Sequence, residues 1–90
     1  MLYKIELTED AVEQLSKIPR NIRNSILNAI EVRLSENPHR FKPLVCDWKG
    51  YFRMRFGDYR VIYKVVEETV TVVVVRISVR SNVYNKKKAP

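Results

Sequence analysis

The sequence predicts an α+β fold of order β-α-α-β-β-β, with a helical hairpin packed on one face of a mostly antiparallel sheet. Three observations predict it. Apolar residues alternate with period two at the N-terminus, switch to helical spacing up to about residue 36, and return to period two from residue 51. Pro19 divides the helical stretch in two. Gly57-Asp58 separates two alternating runs in the manner of a two-residue hairpin turn. Ninety residues, 46% hydrophobic and 30% charged, suffice for one core and are too few for two domains. The division expected is a single domain over residues 1–85 and a flexible basic tail over residues 86–90.

Taken in order, residues 2–7 place Leu2, Lys4 and Glu6 against Tyr3, Ile5 and Leu7, a strand pattern. Thr8 then suits a helix N-cap, with Glu9 and Asp10 in the first turn where the helix dipole favours acids. Val12, Leu15 and Ile18 supply a short apolar stripe. A second helix runs from about Pro19 to Glu36 on the stripe Ile22, Ile26, Leu27, Ile30 and Leu34, and Asn37-Pro38 stops it. An irregular connector over residues 37–50 follows. Tyr51 to Phe56 and Tyr59 to Val66 alternate as a hairpin. After a turn at Glu67-Glu68, Thr69 to Ile77 is apolar on both faces, which marks a strand covered on each side and therefore central.

Charge excludes several classes and directs attention to the second half. The net charge is +7, of which residues 1–45 carry +1 (seven basic, six acidic) and residues 46–90 carry +6 (ten basic, four acidic). Such an excess points to a polyanion partner, nucleic acid first and an acidic protein second. Cys46 is the single cysteine, so neither an internal disulfide nor a thiolate zinc cluster is available, and a reducing cytoplasm fits. The N-terminus carries charge too early for a secretory segment, and no apolar run reaches the roughly 18 residues of a membrane span.

With Gly57-Asp58 as a two-residue turn, Phe56 pairs with Tyr59, Arg55 with Arg60 and Met54 with Val61. Phe52, Met54, Phe56, Tyr59, Val61 and Tyr63 then share one face. Arg53, Arg55, Arg60 and Lys64 share the other, together with Tyr51 and Ile62. Like charges directly opposite one another destabilise a sheet by a few tenths to about 1 kcal/mol. The pattern fits either the solvated face of an antiparallel sheet or an anion site, where the guanidinium fork suits phosphate.

Beyond the Val-rich strand come Arg80-Ser81-Asn82-Val83-Tyr84, with Arg80 and Tyr84 placed where the chain can fold beside the hairpin. The element order over residues 2–84, the run Tyr51-Phe52-Arg53-Met54-Arg55-Phe56-Gly57-Asp58-Tyr59-Arg60-Val61-Ile62-Tyr63, and this ending together resemble the RelE toxins of the RelE/ParE superfamily. The resemblance implies the toxin of a type II toxin–antitoxin pair: a cytoplasmic, ribosome-dependent mRNA endoribonuclease that inhibits translation. It implies metal-free chemistry without a cofactor, in which the mRNA 2′-OH attacks the adjacent phosphate. By motif position the catalytic set is Arg53, Arg55, Arg60, Arg80 and Tyr84. Arg60 and Arg80 clamp the phosphate, Arg53 and Arg55 position the substrate, and Tyr84 either stacks on a base or moves a proton. Tyr51, Lys64 and the tail residues Lys86, Lys87 and Lys88 are the expected further RNA contacts. The implied partners are a cognate antitoxin, the ribosome and mRNA, with operator DNA reached through the antitoxin and no membrane.

The chain departs from the RelE pattern where that family often carries lysine, at Arg53 and Arg55. Arginine stays protonated, so these positions supply no general base. Two other readings remain at this point: a ParE-like inhibitor of DNA gyrase, and a non-catalytic binding module. Cys46 is expected to be passive, Trp48 to pack over the edge of the helices, and His39 to be a solvated loop residue.

Overall fold

The computed structural model describes residues 2–79. Five strands form one sheet in the order β1-β5-β4-β3-β2: β1 Lys4–Leu7, β2 Lys42–Pro43, β3 Tyr51–Phe56, β4 Tyr59–Val66 and β5 Thr71–Val79. β1 runs parallel to β5, and the other pairings are antiparallel. The two-residue β2 was not visible in the sequence pattern, because Pro43 and the short run conceal it. β5 lies between β1 and β4, as its apolar composition predicts.

Two helices cover one face. In α1 (Glu9–Ser16) the Thr8 hydroxyl accepts from the Ala11 amide, as the N-cap pattern predicts. The stripe is shifted from the one expected. Ala11, Leu15 and Ile18 are buried at spacings of four and three, and Val12 points outward at 54% exposure. In α2 (Arg20–Ala29), preceded by Pro19 as N-cap, Ile26 is buried while Leu27 is among the exposed apolar residues. Past Ala29 the helix widens into a π turn over Ile30–Leu34. The stripe explains this turn. Ile22, Ile26, Ile30 and Leu34 recur every four residues, and a 3.6-residue helix over-rotates by ~40° at each such step. A wider turn absorbs that drift, and Ile26, Ile30 and Leu34 all remain buried.

The core lies between these helices and the sheet. Met54, Val61, Tyr63, Val72, Val74 and Ile77 meet Ala11, Leu15, Ile26, Ile30 and Leu34. Tyr63 also anchors the connector: its hydroxyl donates to the Pro38 carbonyl at 2.6 Å, and its ring stacks on Phe52. Burial pushes its phenol well above the ordinary tyrosine range. Among the described residues no helix is long and apolar enough to cross a membrane.

Candidate nucleic-acid interface

The opposite face of the sheet is built from three aligned rows. The hairpin register is the expected one: Tyr51 pairs with Lys64, Phe52 with Tyr63, Arg53 with Ile62, Met54 with Val61, Arg55 with Arg60 and Phe56 with Tyr59. β4 in turn pairs Arg60 with Ser78 and Ile62 with Arg76. Three side chains therefore line up across β3, β4 and β5 in each row: Arg55-Arg60-Ser78 and Arg53-Ile62-Arg76, followed by Tyr51-Lys64-Val73.

Arg76 was missed at the sequence level, and a β-bulge explains why. Ile62 pairs with Arg76 but Tyr63 pairs with Val74, which leaves Val75 as an extra residue on β5. Uninterrupted alternation from the buried Val72 and Val74 would send residue 76 toward the helices. The extra residue reverses the parity, so Ile77 enters the core and Arg76 joins the arginines. α1 and its cap hold this irregularity. The Thr8 amide donates to the Val74 carbonyl at 3.0 Å, which ends the parallel β1–β5 ladder, and the Thr8 hydroxyl donates to the Val75 carbonyl at 3.4 Å. The Ile77 amide donates to the Gln14 side-chain oxygen at 2.6 Å. Two backbone groups at and beside the bulge, the Val75 carbonyl and the Ile77 amide, thus find side-chain partners on the cap and on α1.

The arginines differ in exposure. Arg55 is open to solvent and Arg53 is half-buried, whereas Arg60 is only 5% exposed. Arg53, Arg60 and Arg76 each have interaction partners within the molecule. Tyr51 and Lys64 are half-buried on the same face. Arg80, Tyr84, Lys86, Lys87 and Lys88 lie outside the described residues.

Trp48 is not at the helices' edge. It meets Tyr51 edge-on at 5.1 Å and carries the Arg76 guanidinium over its ring at 5.3 Å, so it belongs to the basic face. Ile62 is fully buried although it faces away from the helical core, between its strand partners Arg53 and Arg76. His39 is exposed but engaged. Its Nε2 lies 2.7 Å from a Glu67 carboxylate oxygen, and its ring packs edge-on against Tyr3 and Phe52. Phe52 belongs to the helix-facing set, which sets His39 apart from the arginines.

Besides the arginines, the titratable strand residues of this face include Tyr51, Lys64 and, on β2 opposite Arg53, Lys42. The register places one carboxylate there, Glu6 on β1, beside Val73. It is three strands from Arg53, roughly 14 Å at ordinary strand spacing, beyond the reach of proton transfer. No group of three or more potential metal-ligating side chains occurs among the described residues.

A small α+β domain with one helical face and one arginine-rich face has counterparts among known proteins. The family model for the ParE toxin of type II toxin–antitoxin systems, parDE, matches residues 5–84. Toxin RelG of Mycobacterium tuberculosis is 33% identical over 87 residues, covering 96% of this chain and all of RelG. Toxin RelE of the same organism is 34% identical over 83 residues, covering 91% of this chain and 86% of its own. In the crystal structure of the toxin–antitoxin complex RelBE2 from M. tuberculosis, one chain superposes with a TM-score of 0.85 at 33% identity, covering 90% of this chain and 94% of that one. The chain belongs to the RelE/ParE superfamily of type II toxin–antitoxin toxins.

Proposed function

We propose that this toxin is a ribosome-dependent mRNA endoribonuclease of the RelE type, acting in the cytoplasm and held in check by a cognate antitoxin. The observation that carries the reading is the convergence of Arg53, Arg55 and Arg60 on one sheet face in adjacent rows. The mRNA 2′-oxygen attacks the neighbouring phosphorus in line and gives up its proton. The bond to the 5′-oxygen breaks, and that oxygen takes a proton. The products are a 2′,3′-cyclic phosphate and a 5′-OH.

Negative charge grows on the non-bridging oxygens along this path, and preorganised cations stabilise it. Arg55, open to solvent, meets the phosphate directly. Arg60, opposite it and covered, adds a fixed positive field, and Arg53 positions the substrate. Arg80 completes the clamp and Tyr84 stacks on a base or moves a proton. Tyr51, Lys64 and Lys86 to Lys88 contribute further RNA contacts whose strength falls with salt. The positive field favours an antitoxin segment rich in acidic residues and speeds its association.

The test is cleavage of mRNA on programmed ribosomes by the purified toxin. Arg55→Ala and Arg80→Ala are expected to lower the rate on the order of a hundredfold each, with the folded circular-dichroism spectrum retained. Full activity in both variants overturns the assignment. The match to the ParE toxin model favours a second reading, inhibition of DNA gyrase. Gyrase poisoning in vitro without mRNA cleavage would establish that reading instead. Absence of growth arrest on expression without an antitoxin would point to a binding module.

A further inference from the structure

The basic face holds an aromatic element that phosphate binding does not require. Trp48, the chain's single tryptophan, sits in the loop joining β2 to β3. That loop is bent sharply. Cys46 adopts a φ of 57° and Gly50 a φ of 98°, so residues in the left-handed region lie on both sides of the indole. For the non-glycine Cys46 this conformation is costly, and such strain persists only where surrounding structure enforces it. The Trp48 amide donates to the Val45 carbonyl and the Lys49 amide to the Cys46 carbonyl, closing the turn at 3.1 and 3.0 Å. The result is a half-buried indole edge-on to Tyr51 and beneath the Arg76 guanidinium. A flat aromatic surface and a cation are thus placed at the end of the Arg53-Ile62-Arg76 row.

From this juxtaposition we propose that Trp48 and Arg76 form a stacking site for one unpaired base of the RNA whose backbone follows the arginine rows. This deepens the RNA-binding reading given above and rests on it. Single-stranded nucleic acids are held by just this pairing of a cationic track with aromatic faces, because every base offers a π-surface. Arg76 contributes twice, through its contact with the indole and through its charge toward the flanking phosphate. The rigid indole loses little conformational freedom when a base stacks on it. Protein segments rich in acid would use the charge but not the aromatic face.

Because Trp48 is the only tryptophan, its emission reports the site directly in the full-length toxin. We would titrate the protein with a single-stranded RNA hexamer, with inorganic polyphosphate of matched charge and with a poly-glutamate peptide, following Trp48 emission and, in parallel, anisotropy of labelled RNA. The expected result is quenching by RNA and not by polyphosphate or the peptide. Trp48→Leu, which keeps an apolar side chain in the loop, should weaken RNA affinity about tenfold and leave polyphosphate affinity unchanged. Arg76→Ala should weaken both. Unaltered emission on RNA addition, or equal quenching by polyphosphate or peptide, overturns the proposal, as does unchanged RNA affinity in a folded Trp48→Leu. Should Trp48→Leu fail to fold, the three titrations of the wild-type protein decide. The two readings fail differently: loss of the stacking site leaves ribosomal cleavage without quenching, whereas a toxin that does not cut still shows quenching.

Discussion

The two faces of the sheet obey different rules. The helix-covered face is apolar, fully buried at Met54, Val61, Tyr63, Val72 and Val74, and held by dispersion and water exclusion. The other face places Arg55 opposite Arg60 and stacks Arg76 on Trp48, arrangements that cost stability or require special backbone geometry. One face is organised for folding. The other tolerates like charge and a strained loop, as surfaces selected for binding do.

The largest expected effect tests the folding face. Ile26→Ala removes a fully buried side chain from the helix–sheet core and should cost about 2–5 kcal/mol in urea unfolding. A cost under 1 kcal/mol would mean that the helices are not the main cover of the sheet. Next comes Tyr63→Phe, which leaves the Pro38 carbonyl without its 2.6 Å partner and should cost about 1–3 kcal/mol. The same residue gives a pH signature. Its phenol is raised in the folded state, so its contribution is fully present below the ordinary tyrosine value, near pH 10. Above it the unfolded chain ionises while the folded protein does not, and stability falls as pH rises further. Wild type should therefore lose stability more steeply above about pH 10 than Tyr63→Phe, a difference read from urea midpoints across that range. Parallel curves would place the ionisation elsewhere.

A smaller effect probes the junction between the faces. Gln14→Leu removes the acceptor of the Ile77 amide and should cost about 1 kcal/mol. Amide exchange at Ile77 should accelerate, and the Trp48 emission spectrum should change as Arg76 loses its position. Unchanged exchange would show that the β4 ladder alone holds the bulge. The smallest effect has the opposite sign. Arg55→Gln relieves the pairing with Arg60 and should stabilise the fold by a few tenths to about 1 kcal/mol while impairing the proposed mRNA cleavage. Destabilisation instead would indicate that Arg55 serves the fold.

Much of the molecule was legible because its causes are local. The Thr8 cap, the Pro19 junction and the Gly57-Asp58 turn each depend on residues a few positions apart, and the turn alone sets the β3–β4 register. The grouping of Arg53, Arg55, Arg60, Tyr51 and Lys64 on one face follows from that register by alternation. Val12 and Leu27 fall outside the buried stripes, since a stripe a few residues long admits more than one phase.

Residues close in sequence thus determined the hairpin, its two faces and the first helix's start. Tertiary structure decided what the basic face contains beyond the hairpin. The bulge at Val75 depends on Thr8 and Gln14, more than sixty residues away in the chain, to satisfy its backbone groups. No pattern within β5 reveals it, and a one-residue change of parity sends Arg76 to one face or the other. Trp48 reaches the same face because a strained turn carries it there, and its partner Arg76 is available only once the bulge has formed.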